Sequence, residues 1–224
     1  TGPEDDETRV GGFIRESASA SAGIPLVSTY NTGGTPFSTS RVVRARVEVR
    51  LTGEWSIRNR HEPVISFDHI SAEPNSEFET QIRTAVTAAE RFAVRKMGLR
   101  GLPRLPREYR ISLPEIASFP ASAIQRLSGG SAGLAVAVLL VSAISRLDLC
   151  RHRLVILPGT AFTGTVEENG NIIAVEDSHI ADKTRAVHYS RSSRLALPSP
   201  NLQTAQKEQD ELNLQHPARK IAVT

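Results

Sequence analysis

Residues 132–141 read AGLAVAVLLV, ten positions without one polar side chain. That is about half the length needed to cross a bilayer, so the run predicts a helix surrounded by protein rather than a membrane span. The helix is expected over 131–147, entered through Leu127-Ser128-Gly129-Gly130. A helix that is apolar all round must be covered by other layers. Aromatic residues make up only 5% of the 224 positions, so those layers must be built mainly from Val, Leu, Ile and Ala. The chain is long enough for one sizeable core, or for one domain with a tail.

Those layers can be traced along the chain. Val43, Ala45, Val47, Val49 and Leu51 alternate with Arg44, Arg46, Glu48 and Arg50, the period-two pattern of a half-buried strand. Ser76-Glu77-Phe78-Glu79 has the form of a capping box. It opens a helix whose apolar spacing runs through Phe78, Ile82, Ala85, Ala89 and Phe92 and which Gly98 ends. A loop with two prolines over 101–107 leads to a strand through Tyr109, Ile111 and Leu113. Leu154-Val155-Ile156-Leu157 reads as a buried strand. Asn169-Gly170 predicts a hairpin turn between 162–166 and 172–175. A helix over 179–190, a strand over 195–197 and a polar helix from Ser199-Pro200 to about Gln215 complete the series. Helices and strands mix without βαβ regularity, which predicts an α+β fold.

Residues 1–40 look different. An acidic start, Gly11-Gly12, Ser- and Ala-rich sequence and Asn31-Thr32-Gly33-Gly34-Thr35-Pro36 predict a tail or linker, docked at most through Gly12-Phe13-Ile14 and Ile24-Pro25-Leu26-Val27. The folded domain is then expected over 41–224. Met97 is the only methionine, which predicts a portion of a longer protein.

Charge and cysteine usage narrow the classes of function. The net charge is +3, acidic residues nearly balance basic ones, and no like-charged block marks a nucleic-acid surface. A single cysteine, Cys150, excludes an internal disulfide and fits a reducing compartment. The acidic opening is the reverse of a secretory n-region, so a cytoplasmic protein is expected, with no membrane and no nucleic-acid partner. The six histidines are scattered, no Cys/His cluster has metal spacing, and no phosphate-binding Gly-x-x-x-x-Gly-Lys-Ser/Thr occurs. No cofactor or metal is therefore expected.

Two residues carry chemistry. Ser131 follows two glycines at the start of the apolar helix, where free backbone N–H groups and the helix dipole can stabilise an oxyanion. The competing reading is that Ser131 or Ser128 caps the helix. Lys183 shares a helix face with Ile180 and Val187, beside Ala186. Burial would lower its pKa and free a neutral amine to act as a general base. The competing reading is a lysine whose stem packs while its ammonium reaches water.

The segment Arg110-Ile111-Ser112-Leu113-Pro114-Glu115, followed by Ser128-Gly129-Gly130-Ser131-Ala132-Gly133-Leu134 and its apolar helix, resembles the nucleophile region of Lon proteases. Phe162-Thr163-Gly164-Thr165 with the Asn169-Gly170 turn is similar to that family's Thr-Gly hairpin. Ala181-Asp182-Lys183 through Leu195-Ala196-Leu197-Pro198 is similar to its lysine helix and following strand. The resemblance covers roughly 42–223 and is strongest over 110–198. It implies a Lon proteolytic-domain-like fold with small mixed sheets packed by helices, and a Ser131–Lys183 dyad supported by Gly130, Ala132 and Thr163. The family's proline before the serine is Gly130 here, the acidic residue three before it is Ser128, and the Gly-Gly ahead of the lysine is replaced around Glu176-Asp177-Ser178.

The function implied is a serine endopeptidase working through an acyl-enzyme on protein or peptide substrates. This chain lacks the family's ATPase, which would lie elsewhere in a longer chain or on a partner, or be dispensed with. A homo-oligomer is compatible with the resemblance. Two alternatives stand beside it: a non-catalytic Lon-like scaffold or oligomerisation module, and a viral polyprotein-processing Ser-Lys protease.

Overall fold

The computed structural model describes residues 13–32, 35–54, 61–68, 77–114 and 130–224. Its spine is a long antiparallel hairpin, β1 (Phe13–Thr32) with β2 (Thr35–Glu54), in register from Phe13↔Glu54 to Thr32↔Thr35. β3 (Val64–Asp68) and β4 (Arg107–Ser112) extend the sheet beyond β2. β5 (Thr160–Phe162), β8 (Arg194–Ala196) and β9 (Ala222–Val223) extend it beyond β1. The result is a mixed seven-stranded sheet of order β3-β4-β2-β1-β5-β8-β9, beside a two-stranded hairpin of β6 (Thr165–Val166) and β7 (Ile172–Ile173). The four α-helices among the described residues are α1 (Glu77–Lys96), α2 (Gly133–Ile144), α3 (Asp177–His188) and α4 (Leu202–Gln215). The fold is α+β. It has one large sheet and a small hairpin, where the resemblance implied several small sheets.

Alternation explains how the sheet acquires two faces. On β2, Val43, Ala45, Val47, Val49 and Leu51 turn inward and meet Ile82, Ala85 and Ala89 of α1 and Leu139, Leu140 and Ile144 of α2 in one core cluster. The residues between them look to the other side. There α3 packs on β1 and β2, and Val42 lies against a second, smaller cluster of Ala161, Ile180, Val187 and Leu195. α4 packs on α3, with Ala205 in that same cluster.

The expected tail is corrected by β1. Ser17-Ala18-Ser19-Ala20-Ser21-Ala22 alternates strictly. Ala20, Ala22, Ile24 and Leu26 are buried in the main core while Ser17 and Ser21 face out. Residues 13–32 are thus a central strand, in hydrogen-bonded contact with both β2 and β5. Small residues lower the hydrophobicity of a segment without changing its period, so composition suggested a linker where the order of residues specifies a strand. Residues 1–12 lie outside the described residues, as do Gly33-Gly34, Ser76, Glu115 and Leu127-Ser128-Gly129.

A second correction concerns 154–157. This run forms no strand, and Leu154, Val155 and Leu157 are 43%, 72% and 56% exposed. Its backbone is pinned to α2: Ser142 Oγ donates to Leu154 O, and Leu154 N–H donates to Ser145 Oγ. The sheet position beside β1 is taken instead by Thr160–Phe162. Phe162, expected in the Asn-Gly hairpin, therefore belongs to the large sheet, and the hairpin is confined to β6 and β7.

Candidate active site

α2 begins in a single 3₁₀ turn, Gly130–Ala132, whose middle residue is Ser131. The N-cap is Ala132, with no side-chain capping bond. Ser131 is half-buried, and its hydroxyl makes no hydrogen bond among the described residues. Its hydroxyl is therefore not consumed in capping the helix. Ala132 is buried at 3% exposure and anchors the turn in the core.

A two-residue segment after β5 links this turn to α3. Gly164 N–H donates to Ser131 O at 3.0 Å, and Leu134 N–H donates to Gly164 O at 2.9 Å, so the first turn of α2 is clamped on Gly164. Its neighbour Thr163 is fully buried and donates its N–H to Ala196 O of β8 at 3.1 Å. Lys183 Nζ donates to Thr163 Oγ1 at 3.3 Å. Ser131 and Lys183 thus converge on adjacent residues, one through backbone and one through a side chain, with no hydrogen bond directly between them.

Gly164 is required here for two reasons. Its φ is +150°, and a Cβ would approach Leu134 Cδ2 to 3.0 Å and Pro198 Cγ to 3.1 Å. Gly164→Ala is expected to destabilise the protein by about 2 kcal/mol and to loosen the clamp on Ser131. Denaturant unfolding and peptide turnover, measured together, should both fall; an unchanged midpoint would show that the segment adapts freely.

Lys183 is 3% exposed and lies mid-helix, one turn from Ile180 and Val187. Among the described residues it has no carboxylate partner. Burial alone pushes its pKa down to about 8, so roughly a tenth of the chains carry a neutral amine at pH 7. The ammonium does not reach water along its stem, which removes the snorkelling reading.

α3 is held from both sides. Asn201, in the 3₁₀ turn before α4, accepts from Val175 N–H at 2.8 Å through Oδ1 and donates through Nδ2 to Val175 O at 2.7 Å and Asp177 Oδ1 at 3.0 Å. Arg185 forms a forked pair with Glu208 of α4, at 2.6 and 3.0 Å. These bonds fix the start and the roll of α3, and with them the direction of Lys183. The sequence reading missed Asn201 and Gly164 as positioning residues. Thr-Gly ahead of the hairpin was a usable signal for Gly164, whereas an asparagine in Ser-Pro-Asn has no local signature for bracing the start of a helix 24 residues upstream.

The histidines lie elsewhere. His179 is exposed in the first turn of α3, with Glu176 at 4.0 Å. His152 is exposed. His188 is fully buried at the end of α3, where burial and the Arg219 guanidinium lower its pKa and neither ring nitrogen has a hydrogen-bond partner. None of the three hydrogen-bonds Ser131. Among the described residues no group of three or more His, Cys, Asp or Glu could hold a metal ion, and no helix is long and apolar enough to cross a membrane.

Comparison with protein-family models gives no match, and comparison with curated protein sequences gives none either.

Proposed function

We propose that the protein is a serine peptidase in which Ser131 is the nucleophile and Lys183 its general base. The observation that carries this reading is a buried lysine, with a pKa lowered to about 8, hydrogen-bonded beside the residue that clamps the Ser131 turn. A dry lysine with no ion-pair partner among the described residues destabilises the fold at neutral pH, a cost that a role as general base accounts for.

In the reaction the neutral Lys183 amine takes the hydroxyl proton of Ser131 as its oxygen attacks the peptide carbonyl. The negative charge that develops on the carbonyl oxygen falls at the N-terminal end of α2, where the N–H groups at Ser131 and Ala132 are assigned to hold it. Leu134 N–H is excluded from that role because Gly164 O occupies it. The Lys183 ammonium then returns the proton to the leaving amine. Water, deprotonated by Lys183, cleaves the resulting ester. Thr163 keeps the amine oriented, and the gap between Lys183 and Ser131 closes as substrate enters, since catalytic hydrogen bonds tighten in the substrate complex. The substrate class is protein or peptide. An ATPase that unfolds it would lie on a partner or elsewhere in a longer chain.

Labelling with a fluorophosphonate followed by peptide mapping tests the nucleophile directly. One label per chain is expected, on Ser131, and none on Ser131→Ala. That variant should keep its thermal midpoint within a few degrees, because the hydroxyl does not cap α2. Labelling at another serine, or peptide turnover surviving in Ser131→Ala, overturns the assignment.

A further inference from the structure

A cavity of about 1000 Å³ opens along β1 from Ser19 to Gly23. Its floor is β1 at Ser21 and Gly23 and β2 beside them, where Gly23 lies so close to α3's exit that a Cβ would meet Val42 Cγ1 at 2.8 Å and Ser192 Oγ at 3.3 Å. One wall is apolar, made by Ile156, Leu157 and Pro158 of the segment that failed to become a strand. The remaining boundary carries Arg44, Arg46, Arg146 and Arg191, and no Asp or Glu lines the cavity among the described residues. The cavity is separate from Ser131 and Lys183. Thr160 borders it, and Thr163 lies three residues further along an extended segment, about 10 Å away.

What sets the cavity apart is that four arginines share it while its lining holds no carboxylate among the described residues. Arg50, Arg83, Arg91, Arg107, Arg110 and Arg185 each sit within ion-pair distance of a carboxylate. Arg46, Arg146 and Arg191 have no such partner among the described residues, although all three border one cavity. Arg146 is oriented by a 2.8 Å bond from Nη1 to Ser19 O, which leaves its other N–H groups for a ligand. Several guanidinium groups lining one cavity give it a positive field, which a multiply charged anion offsets while accepting forked hydrogen bonds.

We propose that this cavity binds a small molecule carrying two or more phosphate groups on an apolar body, of the nucleoside di- or triphosphate class. The phosphates lie on Arg46, Arg146 and Arg191, and the apolar body lies against Leu157 and Pro158. The volume is at the upper end of the range for small-molecule sites, about 300–1000 Å³. An acidic peptide would place its charges too far apart to bring two of them to one cluster. No hydrolysis of the ligand is involved, and the site does not depend on the peptidase reading.

Isothermal titration of the protein in magnesium-free buffer with EDTA tests this, using inorganic pyrophosphate, ATP, adenosine and hexaglutamate as probes. Pyrophosphate and ATP should each saturate one site per chain, with ATP at least threefold tighter through the apolar wall. Adenosine and hexaglutamate should bind at least tenfold more weakly than ATP. The double variant Arg46→Gln/Arg191→Gln, both exposed side chains, should lose at least tenfold in affinity for ATP, and Arg83→Gln on α1 should lose none. The proposal is overturned by no saturable binding of pyrophosphate or ATP at millimolar concentration, by undiminished affinity in the double variant, by adenosine matching ATP, or by hexaglutamate binding in preference.

Discussion

Lys183→Arg is expected to abolish peptide hydrolysis at every pH at which the protein stays folded, a loss of about 10³-fold or more. Arginine keeps the positive charge and can still donate to Thr163, but its guanidinium does not give up a proton in this range. Lys183→Ala should be equally inactive, which separates loss of a base from loss of a charge. In the unaltered protein the reactive form is the neutral amine, so kcat/KM should rise with pH and level off above the pKa of about 8. Below it the rate should fall about tenfold per pH unit. His179→Ala and His152→Ala should leave substantial activity and the same pH profile, because both rings are exposed and neither bonds Ser131. A rate that levels off already near pH 7, together with a His179→Ala variant as dead as Lys183→Arg, would replace the lysine with a histidine as base.

The same burial has an opposite effect on stability. Lys183 has an ordinary value of 10.5 in the unfolded chain and about 8 in the folded one. Below pH 8 the group is protonated in both states, so folding carries the full cost of desolvating an ammonium. That cost declines between about pH 8 and 10.5 and vanishes above, where the amine is neutral in both states. Lys183→Met, which fills similar space without a charge, is therefore expected to stabilise the protein at pH 7. The lowering from 10.5 to about 8 corresponds to about 3 kcal/mol. Loss of the bond to Thr163 Oγ1 offsets about 1 kcal/mol, leaving a net gain of about 2 kcal/mol. Urea unfolding of the two proteins at pH 7 and pH 10 checks both the sign and the pH dependence. A variant less stable than the parent at pH 7 would mean that Lys183 is stabilised in its charged form by a contact outside the described residues.

Much of the architecture follows from local order along the chain. The period-two run at Val43, Ala45, Val47, Val49 and Leu51 dictates β2, and the spacing of Phe78, Ile82, Ala85 and Ala89 dictates α1. Gly98 ends α1 with φ +75°, and Gly170 turns the β6–β7 hairpin with φ +92°. The apolar run after Ser131 specifies a helix that must be buried on all sides, and α2 is that helix. Each of these depends on contacts within a few residues or on one face of one element, and such information is carried by periodicity. The Ser-Ala alternation of β1 was equally present, but hidden by its low hydrophobicity.

Other outcomes depended on competition between distant segments. Residues 154–157 have the composition of a buried strand, and lost the place beside β1 to Thr160–Phe162, because Ser142 of α2 and Ser145 at its C-cap tie down Leu154's backbone. The candidate site is of the same kind. Sequence spacing put Ser131 at a helix start and Lys183 in an apolar stripe, 52 positions apart, but neither spacing says that both bond to the Thr163-Gly164 segment. That is decided by Gly164, which has room for its backbone bonds to Ser131 and Leu134 only without a side chain, and by Asn201 and Glu208, which set the roll of α3. The pKa of Lys183 belongs here too, since desolvation depends on what the rest of the chain packs around an amine. A sequence specifies which faces seek burial. Which faces cover one another, and which polar groups are enclosed between them, is settled only when all the elements compete for the same space.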